Sequence, residues 1–140
     1  MLHAVLDTNV LVAALRSRRG ASFELLRLLG EGRWQLHIST ALLLEYEEIA
    51  NREIQHLWLN PDRVQDVLDA LCASAQERAI SFLWRPFLND ADDDFLLELA
   101  VAAGTPYIVT HNVRNFAGVE RFGIQVLTPA ETLLKLQSSK

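Results

Sequence analysis

Short apolar runs recur along this chain of 140 residues, at residues 2–6, 35–38, 79–83, 106–109 and 124–127. Much of the sequence between them carries apolar residues at helical spacing. A short apolar run without alternation reads as a buried strand of a parallel sheet, because helices cover both faces of such a sheet. Strands that alternate with amphipathic helices give an α/β domain with a mostly parallel sheet. Helices are predicted over 8–16, from a cap at Ser22 to a stop at Gly30, and from Ser39 or Thr40 to about Arg52. A further one starts at Asn60-Pro61, with Val64, Val67, Leu68, Leu71 and Ala75 in phase. The acidic run after the Pro86–Asn89 loop opens a helix over 95–103 that Gly104 ends. Thr128-Pro129-Ala130-Glu131 is a complete capping box, so Glu131 is read as structural. No repeat, linker or low-complexity segment breaks the pattern, and one domain over residues 1–140 accounts for it.

Composition narrows the function. Half the residues are apolar and the net charge is −5. That argues against a general basic nucleic-acid binder. A nucleic-acid enzyme stays open, because divalent cations neutralise an acidic pocket. Arginine outnumbers lysine eleven to two; the arginine fork suits phosphate, although codon preference gives the same bias. Cys72 is the single cysteine, so neither an intrachain disulfide nor a cysteine-based metal site is expected, which suits a reducing compartment. No run approaches the roughly 18–20 apolar residues of a membrane span. The N-terminus lacks the basic segment of a signal peptide. A cytoplasmic protein without a membrane partner is the expectation.

In an open α/β sheet, ligands bind at the carboxyl ends of the strands. Asp7 ends the first run, in Val5-Leu6-Asp7-Thr8-Asn9. A carboxylate there either binds a cation or caps the next helix, and position alone leaves the two readings even. Glu45 sits in the helix after the second strand, at the edge of an apolar face; a rim glutamate is the ordinary alternative. Asp92-Asp93-Asp94 is more telling. One or two acids suit a helix N-terminus, but three with Asp90 nearby repel one another unless a cation is present. Leu97 and Val101 follow Asp94 at +3 and +7, the spacing of an inward face, which makes Asp94 the preferred ligand. Asp90 and Asp93 are possible supports, and Asp92 is expected to be solvated. Removal of Asp94 is expected to relieve repulsion and stabilise the metal-free protein. Thr110, His111 and Asn112 follow the Tyr107-Ile108-Val109 strand and face the same cleft. Asn112 holds water there or serves as a turn residue, and His111 is a surface histidine or a substrate contact. The donors are oxygens from separate segments, which suits Mg²⁺ or Mn²⁺ rather than zinc. Such sites suit phosphodiester hydrolysis. Thr8, Asn9, Thr110 and Arg16 are candidate substrate contacts, with Arg18 and Arg19 in the same basic stretch.

Leu6-Asp7-Thr8-Asn9-Val10-Leu11 resembles the opening motif of PIN domains. Glu45 occupies the place of their second acidic motif. Asp92-Asp93-Asp94-Phe95-Leu96-Leu97-Glu98-Leu99-Ala100, then Gly104, then Tyr107-Ile108-Val109-Thr110, resembles their third and fourth motifs in order and spacing. The resemblance covers nearly the whole chain and is closest to VapC-like toxin components. It implies a PIN fold, a central parallel sheet of four or five strands flanked by helices. It also implies a Mg²⁺- or Mn²⁺-dependent endoribonuclease held inactive by a partner antitoxin and often dimeric. The acidic site it implies is Asp7, Glu45 and Asp94, assisted by Asp93 or Asp90, with Asn112 also in the catalytic set. The chain departs from the pattern after the fourth strand, where Asn112 and Asn115 are neutral amides. The competing reading is a PIN-like module that has lost catalysis and acts through protein or RNA contacts. An aspartyl-nucleophile phosphatase wants an Asp where Asn9 stands. A receiver domain wants a lysine at a later strand end. A dinucleotide-binding domain wants a Gly-rich turn after the first strand. Leu57-Trp58-Leu59 is a candidate exposed apolar patch for a dimer face.

Overall fold

The computed structural model describes residues 1–78, 87–88 and 90–138. The predicted strand at 79–83 and the loop markers Pro86 and Asn89 lie outside the described residues. So does the side chain of Asp92. The elements run β1 (Leu2–Leu6), α1 (Thr8–Arg16), α2 (Ala21–Gly30), β2 (Trp34–Ile38), α3 (Thr40–Arg52), α4 (Pro61–Ser74), β3 (Gln76–Glu77), α5 (Ala91–Ala103), β4 (Tyr107–Val109), β5 (Gln125–Leu127) and α6 (Pro129–Ser138). Short 3₁₀ turns lie at Ile54–His56, Val113–Phe116 and Val119–Phe122.

Among the described residues the strands form one parallel sheet of five, in the order β3-β2-β1-β4-β5. The chain therefore builds outward from β1 on one side, then returns to the other side with β4. The C-terminal ends of β1 and β4 flank the point where the order reverses, the place where an open α/β sheet leaves a crevice. The central strands are apolar for the predicted reason. Ala4, Val5, Leu6, Ile108 and Val109 are fully buried, with α5 packed against β1 and β4.

The capping signals form as the sequence implies. Ser39 accepts from the Leu42 amide at 3.1 Å, Asn60 accepts from Arg63 at 2.9 Å, and Thr128 and Glu131 exchange bonds at 2.9 and 3.2 Å. Three local expectations change. Gly20, not Ser22, caps α2, and Ser22 is buried inside the helix. Gly30 is the last helical residue, and the turn falls at Gly32, whose φ of 73° is one that glycine adopts without strain. The acidic run lies inside the first turn of α5 rather than ahead of it. The Leu57-Trp58-Leu59 patch is half folded back: the Trp58 indole donates to the Ala14 carbonyl at 3.2 Å, and its neighbours are partly buried.

Tyr46 ties α3 to the sheet. Its ring is fully buried and its hydroxyl donates to the Leu6 carbonyl at 2.5 Å. Burial, with Asp7 and Glu45 nearby, holds that phenol well above the usual tyrosine range, so it stays a neutral donor. Tyr46→Phe is expected to lower stability by about 1–2 kcal/mol. Urea unfolding checks this; an unchanged midpoint would mean that the bond contributes nothing to stability.

Candidate functional site

The crevice at the sheet's C-terminal edge is a cleft of about 550 Å³. Asp7 enters it directly from β1. Its backbone amide still pairs with the Val109 carbonyl at 2.9 Å, so the sheet fixes its position to the last residue. Asp7 stands at the N-cap of α1 but makes no capping hydrogen bond through its side chain. Instead Oδ2 accepts from the Thr110 hydroxyl at 2.7 Å. Thr110 is fully buried, and its oxygen accepts from the Asn112 amide at 3.0 Å and from Asn9 Nδ2 at 3.4 Å. With those donors on its lone pairs, the hydroxyl proton is left for Asp7. Burial raises the Asp7 pKa above the ordinary value of 3.8. The Thr110 hydroxyl, the Thr8 and Asn9 amides and His111 pull the other way without cancelling it.

Glu45 reaches the same cleft from α3, where Oε2 accepts from the buried Thr8 hydroxyl. Thr8 and Thr110 thus each hold one of the two carboxylates, one across 37 residues of chain and one across 103.

The acidic run divides. Asp90 and Asp93 line the cleft. Asp90 lies just ahead of α5, where its carbonyl accepts from the Asp94 amide at 3.1 Å, and Asp93 lies in the first turn. Asp94 is turned inward, as its apolar spacing predicts, and is buried. Inward here means toward the preceding segment: Oδ1 accepts from the backbone amides of Leu88 at 2.8 Å and Phe87 at 3.2 Å. It is not in the lining of the cleft. The core-facing stripe and the cleft-facing stripe of α5 are different stripes, and apolar periodicity reports only the first.

Asn112, Asn115 and His111 also line the cleft. His111 is held at both ends. Its amide donates to Asn9 Oδ1 at 3.3 Å, and its ring Nε2 lies 3.2 Å from the buried Ser22 hydroxyl. Nothing in the local sequence signals the Ser22 contact, which spans 89 residues. Arg16 is at the rim and is engaged with Glu53 at 3.2 Å. Among the described residues no three or more His, Cys, Asp and Glu side chains gather as a ready metal-holding group. Asp7, Glu45, Asp90 and Asp93 line one cleft without such a grouping.

The family model of the PIN domain matches residues 3–114. The chain belongs to the PIN-domain family. Its fold is similar to that of a chain in the crystal structure of VapBC2 from Rickettsia felis bound to a DNA fragment from its promoter. The TM-score is 0.60 at 17% identity, covering 91% of this chain and 98% of that one. It is also similar to a chain of the DNA-bound VapBC from Salmonella typhimurium, at TM-score 0.59 and 19% identity, covering 92% and 99%. Identities this low speak to the fold. A search of the curated proteins gives no match. In this PIN domain no described helix is long and apolar enough to cross a membrane.

Proposed function

We propose that this PIN domain is a Mg²⁺- or Mn²⁺-dependent endoribonuclease that hydrolyses RNA phosphodiester bonds, acting as the toxin component of a toxin–antitoxin pair. The observation that carries the reading is the single cleft into which separate segments deliver Asp7, Glu45 and the Asp90–Asp93 pair, with Asn112 and Asn115 beside them. This all-oxygen donor set fits a hard cation. A buried carboxylate such as Asp7 is unfavourable as an anion unless a cation meets it. Asp7, Glu45 and Asp93 would hold the ion, with Asp90 in support. Asp94 serves the same site by fixing the backbone at Phe87 and Leu88. When bound, the ion activates water and neutralises charge growing on the phosphate.

The chain's own residues do the positioning. Thr110 fixes one Asp7 oxygen and Thr8 fixes one Glu45 oxygen at the wall of the cleft. Thr110 in turn couples Asp7 to the Asn112 backbone, so cleft wall and carboxylate keep one geometry. The neutral amides at Asn112 and Asn115 supply hydrogen bonds but no charge, which favours one bound ion over two. The motif resemblance to VapC-like chains and the fold likeness to the two VapBC structures support a cognate antitoxin; the motif resemblance alone suggests a homodimer, and the single cysteine suits a reducing, cytoplasmic setting. The second reading, a catalytically weakened binding module, draws on the same two amides.

The test is incubation of wild type and Glu45→Gln with a mixed RNA pool in Mn²⁺ and in EDTA. Wild type is expected to produce fragments only with Mn²⁺, and Glu45→Gln to be slower by about a hundredfold or more. Equal, EDTA-insensitive degradation by both proteins would trace the activity to a contaminant and remove the nuclease reading. RNA binding without cleavage would select the second one.

A further inference from the structure

We propose that Arg114 grips a phosphate of the substrate strand next to the one being cut, in a second recess that continues the acidic cleft. The inference rests on the nuclease reading above. The recess has a volume of about 400 Å³, and its walls include Phe87, Leu88, Asp90, Asp93, Arg114 and Asn115. Asp90, Asp93 and Asn115 also wall the main cleft. The pair of aspartates is therefore a partition shared by the cleft and the recess, and Arg114 lies in the recess.

Arg114 differs from two other arginines of this surface; Arg121, for one, lies over the Phe87 ring at 5.5 Å. Arg16, at the main cleft, is tied to Glu53. Among the described residues the Arg114 side chain makes no salt bridge and no hydrogen bond, although it shares a recess with two aspartates. Its backbone is anchored nonetheless. It lies in the Val113–Phe116 turn, where the Asn115 amide donates to the Asn112 carbonyl at 3.0 Å and the Phe116 ring is 1% exposed. An exposed guanidinium on an anchored turn beside the acids, without an anion of its own, matches a ligand that brings one. Phosphate oxygens fit its fork. A strand whose reacting phosphate lies over Asp7, Glu45 and Asp93 and runs on past the partition presents its neighbouring phosphate to this recess. Arg114 then sets the register of the strand on the acids.

The experiment uses a fluorescein-labelled single-stranded RNA 12-mer. Binding is read by anisotropy in Ca²⁺ across a salt series, and cleavage is read in Mn²⁺. Arg114→Gln is expected to weaken binding roughly tenfold, equally for different RNA sequences. It should lower the slope of log affinity against log salt by about 0.7, the value for one phosphate of a single strand. KM should rise more than kcat falls. Arg114→Lys keeps the charge and should restore the slope with only part of the affinity. If wild type cuts the RNA and Arg114→Gln matches it in slope and KM, the Arg114 assignment is overturned alone. If wild type neither binds nor cuts the RNA, the nuclease reading falls and this inference falls with it. Arg114 is exposed, so its variants should keep the wild-type Tm; an equal Tm loss in the Lys and Gln variants would make the residue structural and overturn the assignment.

Discussion

Asp7→Asn is expected to lower Mn²⁺-dependent RNA cleavage by about a thousandfold or more while leaving the fold in place. The amide keeps the shape, and its oxygen can still accept from Thr110. What disappears is the negative charge at the centre of the cleft. The same substitution has a signature that needs no substrate. Burial holds the Asp7 carboxyl above 3.8 in the folded protein, so between 3.8 and that raised value the native state binds more protons than the unfolded one. For a raised acid, its contribution to stability is fully present below the unfolded value and is lost as pH rises through the folded one. Metal-free wild type should therefore lose stability across that window, and Asp7→Asn should lose less. At neutral pH the metal-free variant should be the more stable of the two. Mn²⁺ should raise the Tm of wild type and raise that of the variant much less. Thermal unfolding at pH 4 and pH 7, with Mn²⁺ and with EDTA, reads all of this. An equal Mn²⁺ shift in both proteins, with cleavage retained, would take Asp7 out of the metal site.

The second large effect concerns Asp94, and it runs against the expectation from the acidic run. Three adjacent acids suggest that removing one relieves repulsion. The structure gives Asp94 two backbone donors, the Leu88 and Phe87 amides, in a buried position. Asp94→Ala strands both amides and should cost about 2–4 kcal/mol. Asp94→Asn keeps an acceptor oxygen and should cost less. Asp93→Ala, at the cleft, should lose under about 1 kcal/mol and nearly all cleavage. Urea unfolding of the three variants, paired with the cleavage assay, separates the roles. An Asp94→Ala protein as stable as wild type, with its Mn²⁺ stabilisation gone, would return Asp94 to the cleft as a ligand.

These two aspartates mark how far the sequence can be read. Apolar spacing along α5 tells which side chains face inward, and Asp94 does. It does not tell what waits on the inside. For Leu97 and Leu99 that is the core; for Asp94 it is a strip of backbone contributed by the preceding segment. That Asp93 and Asp90 line the cleft is carried by no apolar spacing, since Asp90 lies ahead of the helix and Asp93 faces away from the core stripe. Ser22 shows the same limit: its sequence neighbours suggest a cap, yet it lies inside α2 with its hydroxyl 3.2 Å from the ring of His111, 89 residues away.

Local signals by themselves determined most of the elements; β3, two exposed polar residues, carries no apolar run and is set by its pairing with β2. The apolar runs, the caps at Ser39 and Asn60 and the Thr128–Glu131 box depend on interactions within a few residues, and the sequence carries both partners of each. The alternation of strand and helix then leaves few topologies, and the parallel α/β class follows with Asp7 at a strand end. Only the tertiary structure decided which carboxylates share the cleft. Thr110 against Asp7, Thr8 against Glu45, Asp94 against Phe87 and Leu88, and Arg114 against the aspartate partition are set by how separate segments meet. A side chain's direction is fixed by its own backbone, but its partner is fixed by packing elsewhere, and no periodicity within one segment encodes that.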